Sequence, residues 1–205
     1  MDKTANILLC GVGGQGILLA SEVISSACMK AGYDVKQSEV HGMAQRGGSV
    51  SSHIRFGKKV YSPLIEPGSA DIVASFEMLE ALRYLSYMSK NTRVIVNTQK
   101  ILPAPVAAGT DTYPQDVLEQ LGQRKLAVFP LDGFEIAKSL GETRAVNMVL
   151  VGALSAFLAL DEKIFLQVIS ERIPEKIQKV NREAFIKGRR TVNLLQKKAK
   201  QVQSH

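Results

Sequence analysis

Hydrophobic and polar positions fall into blocks whose period switches repeatedly along the chain. Residues 7–10 form a short all-apolar run that enters a glycine-dense turn, Gly11-Val12-Gly13-Gly14-Gln15-Gly16. Apolar residues at helical spacing follow: Ile17, Leu18, Ala20, Val23, Ile24, Ala27 and Cys28. This order predicts a buried strand, a tight turn and an amphipathic helix. Residues 33–39 read as a second strand, 40–48 as a polar loop and 49–56 as a third strand with period-two alternation. Gly57-Lys58 then leads to residues 59–62, which predicts a β-hairpin between 49–56 and 59–62. A hairpin directly after the second strand departs from the usual doubly wound order, in which a helix returns the chain to a parallel sheet.

The alternation resumes after turn chemistry at residues 63–68: strand 70–76, helix 77–87, strand 92–97. A proline-rich connection (101–108) precedes a short extended piece near 110–113. Pro114 suits the first turn of a helix running to about residue 121. Residues 124–130 read as another buried strand, and Asp132 can cap a helix over 133–140. The last third is helical, with helices over 145–160 and 162–170 and a long final helix opened by Pro174. Ile177, Val180, Ala184, Val192 and Leu195 share one face of that helix, and Gly188 on the same side predicts a close packing contact. Beyond about Lys197 the polar sequence predicts fraying.

The fold class implied is α/β: a Rossmann-like three-layer α/β/α arrangement with a mostly parallel sheet, an inserted β-hairpin and a helical C-terminal part. We expect one α/β domain over 1–190 and a basic C-terminal helix end or tail over 191–205. The longest apolar stretch, 146–160, carries Asn147, Gly152 and Ser155 and is too short for a membrane span, so it reads as a buried helix. A strand begins by Ile7 without a charged n-region or cleavage site, so no secretory signal is expected. Cys10 and Cys28 read as inert core thiols in a reducing compartment, the cytoplasm. Without further cysteines the chain cannot by itself hold a cysteine-ligated iron–sulfur cluster or a structural zinc, and no metal site is assigned.

Charge matters by location. From Glu171 onward there are ten Lys/Arg against three Asp/Glu, and the rest of the chain is balanced. Only Phe185 interrupts that basic segment as an aromatic, so it reads as a solvated helix face or a surface for an acidic partner, not a nucleic-acid reader.

Two stretches carry candidate chemistry. The glycine turn satisfies G-x-G-x-x-G, and Glu39 lies about where a Rossmann enzyme places the acid that holds ribose hydroxyls. Its N–H groups and the following helix N-terminus suit an anion. The loop Ser38-Glu39-Val40-His41-Gly42-Met43-Ala44-Gln45-Arg46-Gly47-Gly48 is too polar for a core and too glycine-rich for a helix. Arg46 can grip a carboxylate or phosphate and His41 can exchange protons near neutral pH, which makes these two the catalytic candidates. The ligand-binding or partner-facing set is Gly11, Gly13, Gly14, Gln15, Gly16, Glu39, His41, Gln45, Arg46, Gly47 and Gly48. His53, on an alternating strand, reads as structural; Asn147 and Asn181 read as hydrogen-bonded packing residues.

Five separated signatures occur in order: GVGGQGI (11–17), SEVHGMAQRGGSVSSHIRFG (38–57), ADIVASFEMLEALR (70–83), AVNMVLVGAL (145–154) and NREAFIKGR (181–189). Together they resemble the gamma-type domain of the 2-oxoacid:ferredoxin oxidoreductases, and within that family the small (beta) subunits of the indolepyruvate branch. The resemblance spans about residues 6–190, and its specific element is the 38–48 loop. It implies oxidative decarboxylation of a 2-oxoacid (indolepyruvate or another aryl pyruvate) to its acyl-CoA in anaerobic metabolism, with coenzyme A as co-substrate and electrons passed to ferredoxin. Thiamine diphosphate, magnesium and iron–sulfur clusters are implied on a large (alpha) partner subunit, so this chain alone binds no cofactor, is inactive alone and works in a hetero-oligomer. No nucleic-acid or membrane partner is implied. Two other classes stay open at this point: a Rossmann-type NAD(P)- or FAD-binding oxidoreductase, and a non-catalytic binding module acting through its basic C-terminal helix.

Overall fold

The computed structural model describes residues 4–42 and 48–203, with the backbone alone at His41, Lys200, Val202 and Gln203. Among these residues six strands form one sheet: β1 (Ala5–Val12), β2 (Asp34–His41), β3 (Ser49–Gly57), β4 (Ile72–Ser75), β5 (Arg93–Asn97) and β6 (Ala127–Leu131). Their order across the sheet is β2-β3-β1-β4-β5-β6. β1, β4, β5 and β6 are parallel, while β3 runs antiparallel to both of its neighbours, β1 and β2. The mostly parallel α/β fold read from the sequence is therefore present.

Strands covered on both faces need apolar residues at consecutive positions, and β1 shows why. Ile7 and Leu9 belong to one core, Leu8 and Cys10 to the other. The first core lies under α1 (Ile17–Lys30), α5 (Gly133–Lys138), α6 (Val146–Ser155), α7 (Glu162–Arg172) and α8 (Glu175–Gln203). The second, smaller core lies under α2 (Met78–Arg83) and α4 (Val117–Gln123). Helix α6 is buried on every side from Asn147 to Ser155 because it sits between the sheet, α1 and α8.

The contact predicted at Gly188 is present and reciprocal. A Cβ on Gly188 would overlap the Val149 carbonyl of α6, and a Cβ on Gly152 would overlap the Phe185 carbonyl of α8. Each glycine removes the side chain that would hold the two helix backbones apart.

The hairpin pairing is corrected. Residues 49–56 pair with β2 and β1, and residues 59–62 form no strand. Side chains replace the missing ladder. The Asp34 carboxylate accepts the Val60 N–H (2.9 Å), and the Arg55 guanidinium donates to the carbonyls of Ser62 (2.9 Å) and Leu64 (3.2 Å).

Other boundaries shift. The 110–113 piece is not a strand, and the helix expected from Pro114 begins at Val117. The strand expected at 124–130 starts at Ala127, after Lys125 adopts a positive φ of 56°. A short helix, α3 (Ala104–Ala107), occupies the proline-rich connection, and α6 stops at Ser155 instead of residue 160. The last helix continues to Gln203 instead of fraying near Lys197. Part of its positive charge is engaged within the molecule: Arg189 donates to Ser155 O (2.7 Å) and pairs with Glu162 (3.4 Å). Arg182 donates to the Ser170 hydroxyl (2.7 Å), and Lys187 to that of Ser139 (3.0 Å). Among the described residues no helix is long and apolar enough to cross a membrane.

Candidate functional site

Parallel strands deliver their carboxyl ends to one rim of the sheet, where α/β folds place ligands. The glycine turn lies on that rim, between the end of β1 and α1. Its glycines have separate reasons. At Gly11 a Cβ would stand 2.7 Å from Gln15 Oε1 and 2.8 Å from Phe76 Cβ, so no side chain fits. Gly14 (φ 99°) and Gly16 (φ 75°) are left-handed, a conformation glycine takes without the Cβ penalty.

Gln15 is held by the turn itself. Its Oε1 accepts the Val12 N–H (2.8 Å) and its Nε2 donates to the Phe76 carbonyl (2.8 Å), which pins the turn to the end of β4.

The rim joins the two candidate stretches at one point: the Gly13 N–H donates to the Gly48 carbonyl (2.9 Å). The structure thus brings Gly11–Gly16 and Gly48 together. At the other end of the loop, Gly42 donates to Ser49 O (2.8 Å). His41 ends β2 opposite Val50, described by its backbone alone. Gln45, Arg46 and Gly47 lie outside the described residues.

Glu39 is half-buried on β2 and accepts from the Ser21 hydroxyl of α1 (3.2 Å) and from Gln37 Nε2 (3.4 Å). The sheet order places all of β3 between β2 and β1, so β2 stands about 10 Å from β1 instead of about 5 Å. A ribose held against the glycine turn would therefore find Glu39 one strand too far away.

Sequence reading missed an acidic network under this rim. Glu77 and Glu80 are 1% and 2% exposed. Glu77 caps α2 by accepting the Glu80 N–H (3.1 Å), and its Oε1 accepts from Tyr113 OH (2.5 Å) and the Ile101 N–H (3.1 Å). Glu80 accepts from the Ser49 hydroxyl (2.5 Å) and pairs with Arg83 (2.7 Å), while Tyr84 OH lies 3.2 Å from Ser49 Oγ.

Burial pushes the Glu80 carboxyl above the usual carboxylate range, against the opposing pull of Ser49 and Arg83. Burial and the hydrogen bond to Glu77 likewise push the Tyr113 hydroxyl up. Because Ser49 begins β3, this network holds the strand on which the 42–48 loop ends. A signal existed in the sequence: in F-E-M-L-E-A, Glu80 lies between apolar positions 78 and 81, which face the core.

His53 is structural as expected. Its Nδ1 accepts the Ile65 N–H (3.2 Å), and burial holds its pKa below the ordinary histidine value. Both cysteines are buried free thiols, pushed up to about 12 by desolvation. Among the described residues no group of three or more His, Cys, Asp or Glu could hold a metal ion. The rim thus offers backbone donors and a firmly anchored loop base, and Gln15, Glu77 and Glu80 are engaged in holding that geometry.

Relatives carry the same chain almost end to end. Indolepyruvate oxidoreductase subunit IorB of Archaeoglobus fulgidus is 43% identical over 187 residues, covering 89% of this chain and 92% of the relative. The subunit of that name from Thermococcus kodakarensis is 41% identical over 194 residues, covering 91% and 95%. Among solved structures, the keto/oxoacid ferredoxin oxidoreductase gamma subunit of Geobacter sulfurreducens superposes with a TM-score of 0.71 at 20% identity. That likeness covers 93% of this chain and 99% of the other. The 2-oxoglutarate:ferredoxin oxidoreductase of Magnetococcus marinus gives 0.75 at 23% identity, over 95% of this chain but 32% of that longer one. The model of the Pyruvate ferredoxin/flavodoxin oxidoreductase family matches residues 6–191, and the chain belongs to that family.

Proposed function

We propose that this chain is the small subunit of a thiamine-diphosphate-dependent 2-oxoacid:ferredoxin oxidoreductase acting on indolepyruvate or a related aryl pyruvate. The reaction is oxidative decarboxylation to the acyl-CoA, with electrons leaving to ferredoxin. The observation that carries this reading is 43% identity over 89% of the chain to an indolepyruvate oxidoreductase subunit.

Thiamine diphosphate supplies carbanion stabilisation in this chemistry. Residues of this chain do not fit the redox and metal groups. Its two cysteines are buried on β1 and α1 and cannot make a four-thiolate cluster site, and the described residues hold no metal-ligand group. We place those groups on a large partner subunit, with this chain completing the assembly in the cytoplasm.

In this reading the turn at 11–16 and the loop at 39–48 face the large subunit, and the Gly13–Gly48 bond supports their acting as one surface. Arg46 offers positive charge to a carboxylate or phosphate of substrate or coenzyme A, Gln45 a hydrogen bond, and His41 a proton-exchanging group. Half-exposed Leu18 and Val40 at the same rim suit a covered interface. The test is coexpression with the large subunit and a viologen-reduction assay across aryl and aliphatic 2-oxoacids. Arg46→Ala is expected to lower kcat/KM by about tenfold or more, the loss of one charge-assisted contact. Unchanged turnover, KM and coenzyme A dependence would refute the assignment.

A further inference from the structure

The outer face of α8 carries charge that the chain does not balance. Residues 175–203 hold nine Lys/Arg against Glu175 and Glu183. Helical spacing puts Lys176, Lys179, Lys187, Arg190, Lys197 and Lys198 in one stripe about 100° wide, opposite the face that buries Ala184, Phe185, Gly188 and Val192. All six are exposed. Lys187 meets only the neutral Ser139 hydroxyl, and the side chains of the other five have no partner among the described residues. At about 1.5 Å of rise per residue the stripe is about 33 Å long. Like charges one turn apart repel, at 176/179 and at 187/190, and no acid of the chain pairs with them.

The far end of the stripe stands clear of the domain. Val192 is the last buried residue of α8 among the described side chains, and the family model ends at residue 191, yet the helix runs on to Gln203. Leu194 lies on the stripe and is 59% exposed. Most helical stability comes from packing, so turns that bury no residue gain from a covering partner.

The side chains present select that partner's chemistry. Phe185, the one aromatic residue of α8, is buried, so no ring is offered to a nucleic-acid base. Leu194 is the single large apolar side chain more than half exposed on α8, too little for a helix to seat in a bilayer. Glu183 sits inside the stripe, where a row of phosphates would be repelled but a protein face can place a cation of its own. The near end of the stripe adjoins the rim: Pro174 and Ile177 line the same cleft as Gly14 and Gly16, so a subunit that covers the rim reaches the first turn of α8.

We propose that the outer stripe of α8 is a second docking surface for the large subunit, which presents to it an acidic face with carboxylates opposite the six cations, a cation opposite Glu183 and an apolar contact at Leu194. The proposal rests on the hetero-oligomer reading given under Proposed function.

The experiment is carbodiimide cross-linking of the complex coexpressed with the large subunit, which joins amines to carboxylates in direct contact, followed by mass spectrometry. Links from Lys176, Lys179 or Lys197 to acidic residues of the large subunit are expected. In parallel, affinity for the large subunit is measured for two triple charge reversals of the full chain: Lys179→Glu with Arg190→Glu and Lys197→Glu in the stripe, and Lys58→Glu with Lys90→Glu and Arg124→Glu outside it. Net charge changes equally in both, and all six positions are exposed, so both variants keep the native circular dichroism. The stripe variant should bind about tenfold or more weakly and lose most of the salt dependence, while the other should change about twofold at most. Absence of cross-links from α8, or equal affinities of the two variants, would overturn the proposal. So would an effect of the stripe variant confined to binding of transfer RNA, of phosphatidylserine vesicles or of a second copy of this chain. A complex that assembles through the stripe but reduces no viologen refutes the proposed function and leaves this result standing. One that turns over with the stripe unlinked does the reverse, and a wild-type chain that forms no complex overturns both.

Discussion

Gly188 in α8 meets α6 backbone to backbone, and adding one methyl group there is the sharpest available test of the packing. In an ordinary exposed helix Gly→Ala stabilises by about 1 kcal/mol, because alanine has less backbone freedom to lose. At Gly188 the new Cβ would overlap the Val149 carbonyl oxygen, a backbone atom of a helix buried all round. The two helices must separate, which opens the contact that Gly152 makes with Phe185 in the opposite direction. Overpacking of a well-filled core costs about 1–3 kcal/mol, and lost contacts around Phe185 raise this, so the propensity gain is outweighed. We expect Gly188→Ala to destabilise by about 2–3 kcal/mol, a large share of the roughly 5–15 kcal/mol that holds a domain together. The control is Gly122→Ala in α4, where a Cβ meets nothing within 4 Å and φ is not positive. That variant should gain about 0.5–1 kcal/mol. Guanidinium melts followed by far-UV circular dichroism measure both. A Gly188→Ala midpoint equal to or above wild type would show that the helices are not in backbone contact.

Two further outcomes follow from the buried titrating groups. Cys10 and Cys28, with pKa values pushed up to about 12, are thiols at pH 8, so the native chain should not react with a disulfide reagent until guanidinium unfolds it. Labelling of the folded chain within minutes would contradict their burial. Glu80 is held above its ordinary pKa, so the fold binds its proton more tightly than the unfolded chain does. The stability it contributes is complete below the ordinary glutamate range and is lost as pH rises through the raised value. Glu80→Gln cannot ionise and should melt higher than wild type at pH 7, with the advantage shrinking as pH falls. A difference independent of pH would refute burial as the dominant influence on this carboxyl.

What the sequence made legible, and what it did not, divides along physical lines. β1 and α6 could be read directly because a segment covered on all sides has no polar face to confuse its pattern. Gly188 was readable for a similar reason, since a costly residue on a packed face requires a close neighbour. Period-two alternation at 49–56 identified a strand, but alternation says which face is wet and not which strand is the partner. Lys59–Ser62 looked like that partner until Asp34 and Arg55 supplied from side chains the hydrogen bonds a ladder would have given. The cleft that Asn147 and Asn181 line beside Gly16 was invisible for a different reason. Asn147 and Asn181 each read as a packing residue in its own helix. Only the approach of α1, α6 and α8 shows that both border a shared space.

The insertion of β3 decides what the glycine turn can be. In a dinucleotide fold the first and second parallel strands are neighbours, so the turn after one and the acid ending the other hold a single nucleotide between them. Here the turn retains the left-handed glycines and the open helix start, while β3 moves the acid away and presents Gly48 to the turn in its place. The Gly13 N–H then binds the loop that the insertion creates. A turn whose outward donor already holds protein has exchanged part of its ligand-binding capacity for the placement of that loop. The 38–48 stretch marks the insertion, since it leads from β2 to the start of β3 at Ser49. Glu80 fits the same logic: a buried acid bonded to Ser49 fixes where β3 begins, and so where the loop must end.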